Sequence, residues 1–151
     1  STIGKSPPPM NDLDAVRDLV HRYSDAVCRR DAEQWAACWA KDAVWDLFGS
    51  PIEGYDAIVD LWVNAMAAFD AVVQTVQNGS ATITGLVGNG RWYVQEHYRL
   101  ATGENGIMLA AYDDNYVREA GEWRFGRRAL ERFYQGPADL SAPFSTREAT
   151  A

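Results

Sequence analysis

The chain has 151 residues, is 47% hydrophobic and 23% charged, and carries a net charge of −7. That length supports one domain with a real core, and the acidic balance argues against nucleic acid as the main partner. Two cysteines, Cys28 and Cys38, make no disulfide framework, and no run of about 18 apolar residues is present to span a membrane. Residues 1–10 contain no apolar signal segment, so a cytoplasmic chain without membrane partners is expected.

Residues 1–10 are polar and proline-rich and read as a flexible arm. Asn11 is a plausible N-cap, with Asp12 and Asp14 suited to a first helical turn. Leu13, Val16, Val20, Tyr23 and Val27 then recur at spacings of three and four, predicting an amphipathic helix to about Arg30. Asp31 with Gln34 resembles a capping box for a second helix carrying Trp35, Cys38 and Trp39. Residues 43–48 alternate as a short strand, closed by Gly49, Ser50 and Pro51. Residues 55–69 predict a third helix, with Ile58, Leu61, Trp62, Ala65, Met66 and Phe69 as its apolar stripe.

Only strand signals follow, at 72–77, 80–87, 91–101, 106–118 and 122–134. Turns are expected at Asn78-Gly79, at 88–90, at 103–106 and at Glu119-Ala120-Gly121. Three helices before a run of antiparallel strands is an α+β layout. It implies a curved sheet wrapped round the helices with a cavity between the layers. Six Trp, seven Tyr and five Phe suit an aromatic-lined cavity as well as a core. Residues 11–140 form the single domain, and 141–151 a C-terminal tail.

Asp113 and Asp114 lie in the predicted strand 106–118, so one points inward and the other away. An inward carboxyl pairs with an arginine of the next strand, such as Arg128, or is held in a pocket to exchange a proton. The two histidines, His21 and His97, are far apart, and no metal-binding spacing, nucleophile elbow or phosphate loop is present. No metal or cofactor is expected.

The motifs YSDAVCRRD (23–31), DAVWDLFG (42–49), GYDAI (54–58) and YDDNYVREAGEW (112–123), with Arg128 following, resemble the SnoaL-like branch of the nuclear-transport-factor-type superfamily. The resemblance implies three N-terminal helices packed on a strongly curved antiparallel or mixed sheet, forming a cone with an internal cavity. Its relatives include ketosteroid isomerases, scytalone dehydratase, hexachlorocyclohexane dehydrochlorinase, polyketide cyclases and non-catalytic binding modules. The Asp and His of the dehydratase dyad match Cys28 and Gln77 here, so that dyad is absent. The ketosteroid isomerase triad matches Tyr23, Asp46 and Asp114.

On this resemblance Tyr23, Asp46, Asp114 and His97 are the expected catalytic residues. Gln77, Cys28, Trp45, Tyr93, Gln95, Met108 and Tyr112 are the expected ligand contacts. Matching to the dehydrochlorinase turns Tyr93, Gln95 and His97 inward; counting from the 103–106 turn instead turns Val94 and Glu96 inward. The implied activity is cofactor-independent lyase or isomerase chemistry, a proton transfer on a hydrophobic carbonyl-bearing ring compound such as a steroid or polyketide. The alternatives are a non-catalytic binding or assembly module and a polyketide-cyclase-like protein. A homodimer or homotrimer is expected, with the proline-containing tail packed on a neighbour.

Overall fold

A computed structural model describes Gly4 and residues 10–145; the rest of the expected arm and residues 146–151 lie outside the described residues. Helix α1 (Asp12–Arg29) begins where the Asn11 side chain accepts from the Asp14 backbone N–H at 2.8 Å. It ends where Arg30 turns left-handed, donating its N–H to the carbonyls of Ala26 and Val27. Its buried stripe runs through Val16, Leu19, Val20, Tyr23, Ser24 and Val27, close to the face its spacing predicts.

Asp31 caps α2 (Ala32–Ala37) through the Gln34 N–H. This helix is shorter than expected, because Trp39 already belongs to strand β1 (Trp39–Leu47). A two-residue turn, Phe48-Gly49, leads to β2 (Ser50–Glu53), which the proline had suggested was a loop. Both turn residues have positive φ, 57° and 85°, the signature of the mirror-image turn that matches strand twist. Helix α3 (Tyr55–Met66) follows. The meander β3 (Phe69–Thr84), β4 (Val87–Leu100), β5 (Asn105–Glu119) and β6 (Glu122–Gly136) completes the sheet.

The strand order is β2-β1-β6-β5-β4-β3, antiparallel except where β1 runs parallel to β6. The three helices pack on one face of this curved mixed sheet, which does not close on itself, and the fold is the α+β cone. Two expected turns proved to be strand. Asn78-Gly79 is a bulge within β3, and residues 88–90 lie inside β4; the chain reverses at Gly85-Leu86 instead. Gly90 is needed for packing, not turning. A Cβ there would meet the Tyr116 hydroxyl at 2.5 Å and the Ser80 carbonyl at 2.8 Å.

The core is aromatic. Trp35 stacks on Trp62 at 4.6 Å, and Tyr23, Trp39, Trp45 and Phe125 close round them. Within it sits a charged pair. Arg128 donates from Nε and Nη2 to the two Asp114 carboxylate oxygens at 2.7 and 3.1 Å, and neither side chain is more than 1% exposed. The Tyr116 hydroxyl donates to Asp114, and the Trp92 indole donates to Tyr116. The guanidinium carbon lies 3.9, 4.1 and 4.4 Å from the ring centroids of Tyr112, Phe125 and Tyr23, a cation–π arrangement on three ring faces. Burial works against the Arg128 charge, and the Asp114 carboxylate together with the Tyr23 and Tyr112 hydroxyls more than offsets it. Of the two readings of Asp114, the geometry gives the ion pair with Arg128. Asp113 points away and pairs with Arg91 at 2.8 Å.

The tail folds back on its own strand. The Tyr134 hydroxyl bonds the Pro137 carbonyl and accepts from the Ala142 N–H, and Phe144 packs against the Tyr134 ring.

Two stability outcomes are expected. Asp114→Ala strands a buried guanidinium and costs about 3–5 kcal/mol in urea unfolding. Asp114→Leu combined with Arg128→Met recovers most of that loss; a single-variant cost below about 1 kcal/mol would show that the pair does not anchor the core. Gly90→Ala displaces Tyr116 and lowers stability by about 1–3 kcal/mol, measured the same way.

Candidate functional site

A cavity of about 180 Å³ lies between the helices and the concave face of the sheet. Its apolar walls are Val27, Trp62, Met66, Phe69, Met108 and Leu130. Phe48, Ala65 and Gln135 line it and are exposed, so they mark its mouth. Five polar groups interrupt this surface: Tyr23, Trp45, Gln74, Glu96 and Tyr112. Convergent polar groups in an apolar hollow are the usual composition of a small-molecule site.

Glu96 is the one carboxylate among the residues lining the cavity. Strand alternation puts Trp92, Val94 and Glu96 on the inner face of β4, and the register sets Glu96 opposite Met108 on β5 and Gln74 on β3. Gln74 Nε2 donates to Glu96 Oε2 at 3.0 Å, and Ser24 Oγ donates to Gln74 Oε1 at 2.9 Å. Burial pushes the Glu96 carboxyl above the ordinary carboxylate value, and the Gln74 hydrogen bond holds that rise back.

Also lining the cavity, the Tyr23 and Tyr112 hydroxyls lie 3.3 Å apart. They share one hydrogen bond, so one of their two protons is left for another acceptor. Burial raises both hydroxyls above the usual phenol value, and Arg128 opposes the rise. The Trp45 indole N–H is buried against the Tyr112 hydroxyl and makes no hydrogen bond of good geometry among the described residues.

The expected site residues divide. Tyr23, Trp45, Met108 and Tyr112 line the cavity. Asp114 lies beneath its wall, bonded to Arg128. Cys28 is outside the lining, and its Sγ bridges the Gln74 backbone, accepting from N–H at 3.2 Å and donating to C=O at 3.1 Å. Five expectations of placement are corrected. Asp46 faces outward, where it accepts from the Gly49 N–H of the β1–β2 turn and from Arg127. His97, Tyr93 and Gln95 occupy the outer face of β4, because the 103–106 turn sets the alternation and the match to the dehydrochlorinase was one residue out of step.

Gln77 is likewise exposed and bonds Thr75, because the bulge between Val76 and Gly79 turns it from the cavity. Glu96 was the open alternative to His97; Gln74 and Ser24 were missed. Alternation from Val72 through Gln74 to Val76 was the available signal for Gln74. Nothing in the spacing marked Ser24 as more than a small residue on the buried helix face.

A wider, open hollow on the outer sheet face is floored by Arg91, Asp113 and Glu131, whose charges bond one another. Among the described residues no three His, Cys, Asp or Glu side chains are grouped to hold a metal ion. No helix of the described residues is long and apolar enough to cross a membrane.

The SnoaL-like domain profile matches residues 8–129. Among solved structures, LinA is 25% identical, with a TM-score of 0.76 over 89% of this chain and 93% of that one. The type 3 hexachlorocyclohexane dehydrochlorinase LinA of Novosphingobium barchaimii is 22% identical, with a TM-score of 0.75 over 89% and 94%. A candidate scytalone dehydratase of Novosphingobium aromaticivorans is 20% identical, with a TM-score of 0.77 over 91% and 93%. The last two likenesses carry the fold alone. A comparison with curated proteins finds no match. The matched profile covers most of the chain and the cone architecture agrees with it: the protein belongs to the SnoaL-like domain family.

Proposed function

We propose that this protein is a cofactor-independent enzyme of the lyase or isomerase type, moving a proton on a small hydrophobic carbonyl-bearing ring compound bound in the cone cavity. The observation that carries this reading is the Glu96 carboxyl, held by Gln74 in a largely apolar hollow that the Tyr23–Tyr112 hydroxyl pair also lines. Membership of the SnoaL-like family and the 25% identity to LinA, by name a hexachlorocyclohexane dehydrochlorinase, support the reaction class.

In this mechanism the substrate carbonyl accepts from the Tyr23–Tyr112 pair. The free oxygen of Glu96 removes a proton from the carbon next to the carbonyl. The C–H electron pair moves onto the carbonyl oxygen, and the donors stabilise the enolate. Return of the proton to another carbon completes an isomerisation; departure of a leaving group with its bonding pair completes an elimination. Glu96 thus takes the base role expected of Asp46 or His97, and Asp114 acts through Arg128, as a positioning group. The cavity also narrows the ligand. An engineered cavity of about 150 Å³ admits benzene, so about 180 Å³ suits one or two rings and favours the small end of the expected ring compounds over a steroid.

A binding module of the same fold is the second reading, favoured because neither His21 nor His97 lines the cavity. Homo-oligomerisation is also proposed, supported by the exposed Val73 and Tyr93 on the outer sheet face; light scattering showing only monomer at micromolar concentration would remove it.

Deuterium exchange at carbons beside the carbonyl of one- and two-ring ketones tests the enzyme. Glu96→Gln is expected to lower the exchange rate by about 10²–10⁴-fold, whereas Asp46→Asn and His97→Ala stay within a few-fold. Unchanged exchange in Glu96→Gln would remove Glu96 from the mechanism, and ligand binding without exchange by the native protein would favour the module.

Stability supplies a second check. Because burial raises the folded carboxyl, the folded chain holds the Glu96 proton more tightly than the unfolded chain does. Stability from this group is therefore present below the ordinary carboxylate range and is lost as pH rises through the folded value. The Tm of Glu96→Gln relative to the native chain should rise across that window and level off above it. A difference independent of pH between 3 and 8, roughly the span over which such a carboxyl ionises, would contradict the raised value.

A further inference from the structure

The Ser24–Gln74–Glu96 chain has a property that a simple carboxylate–donor contact lacks. A carboxylate can only accept hydrogen bonds; a carboxylic acid can also donate one. A primary amide presents a donor end and an acceptor end, which exchange places on a half-turn about its terminal torsion. A serine hydroxyl donates or accepts equally well. Gln74 is 5% exposed and Ser24 6% exposed, so an unmatched group at either position costs the full penalty of a buried polar atom.

In the arrangement seen here, Ser24 donates to Gln74 Oε1 and Gln74 Nε2 donates to Glu96 Oε2. This is the satisfied pattern for ionised Glu96. A proton taken up on the free oxygen faces the apolar cavity; a half-turn of the carboxyl brings that O–H to Gln74, where the same pattern sets an N–H against an O–H. Turning the amide over removes the conflict: the Glu96 O–H donates to Oε1, and Nε2 donates to the Ser24 oxygen. With the Ser24 hydroxyl proton turned to the Val20 carbonyl one helical turn back, every group is again matched, with no change in backbone. The backbone of Gln74 is clamped on both its N–H and its C=O by Cys28 Sγ, so the motion is confined to the amide.

We propose that Gln74 and Ser24 form a reversible amide switch that keeps Glu96 fully hydrogen-bonded in both of its protonation states. Gln74 and Ser24 are positioning residues in this device. Its use, letting Glu96 take up a proton and give it back inside an apolar cavity, rests on the catalytic reading above; the switch itself does not.

The charged and ionisable groups facing this part of the molecule are few. Helix α1 contributes Tyr23 and Cys28, β5 contributes Tyr112, and β6 contributes Arg128, which is bonded to Asp114. The cavity-facing stretch of α3, Trp62, Ala65 and Met66, contributes none, nor does Trp45 of β1. Tyr23 and Tyr112 are raised above the phenol range by burial, so they do not ionise with Glu96.

NMR of the full chain without ligand tests the proposal. The Glu96 side-chain carboxyl carbon and the Gln74 side-chain amide protons are followed from acid to neutral pH. The expected result is one shared midpoint, with amide-proton contacts to the Ser24 Hβ protons strong on the acid side and weak on the neutral side. In Glu96→Leu the amide should show no titration. Ser24 is a partner in both states, so Ser24→Ala should lower Tm by the same amount above and below the midpoint, and Ser24→Thr should restore it. The switch is overturned if Glu96 titrates while the Gln74 amide keeps its contacts, if the amide still titrates in Glu96→Leu, or if the Ser24→Ala loss is confined to the neutral side. None of these readouts uses turnover, so an inactive protein with a shared midpoint would leave the switch standing and the catalytic reading refuted.

Discussion

The buried Arg128–Asp114 pair is the constraint around which the molecule is arranged. Removing two charges from water is expensive, and attraction between them repays this only with good geometry and further hydrogen bonds. Here the carboxylate receives both arms of the guanidinium and the Tyr116 hydroxyl, while three aromatic faces surround the cation. Those rings come from different parts of the chain: Tyr23 from the first helix, Tyr112 from β5 and Phe125 from β6. Satisfying one arginine therefore ties helix to sheet. Gly90 is part of the same arrangement, because the space where a Cβ would lie is taken by the hydroxyl that serves Asp114.

This arrangement separates structural charge from the cavity. Arg128 lies behind the Tyr23 and Tyr112 rings with its hydrogen bonds directed to Asp114, so it polarises the hydroxyls without capturing the cavity carboxylate. Glu96 has a neutral amide partner instead. A neutral donor leaves burial as the dominant influence on its carboxyl, whereas a guanidinium contact would favour the ionised form throughout. A group meant to change its protonation state is better served by an amide than by a cation.

Much of the fold was legible because its signals are local. Asn11 and Asp31 cap helices, Ala120-Gly121 turns a hairpin, and the spacing from Val16 to Val27 marks a buried stripe. The site was less legible because it depends on parity. Asn78-Gly79 and the glycines at 88 and 90 have turn composition, yet they serve a bulge and close packing inside long strands. One residue of register separates His97 from Glu96, and that residue decides which chemistry faces the ligand. Asp46 misled for a similar reason: an aspartate before a Phe-Gly turn has a local partner, the Gly49 N–H, that family matching does not reveal. Tyr23 and Tyr112 were recoverable because both lie on unbroken periodic segments.

The position of β6 bears on how the chain reaches this state. It lies between β1 and β5 in the sheet although it follows both in sequence, and its parallel pairing with β1 joins strands from the two ends of the domain. During synthesis the β1–β2 hairpin and the helices emerge well before the strand that connects them to the sheet. Until β6 docks, Trp39 and Trp45 lack their Phe125 and Arg128 neighbours, and a large aromatic surface stays open to solvent. Non-local pairing of this kind is closed late and slowly, so the interval before β6 arrives is when this chain is most exposed to self-association.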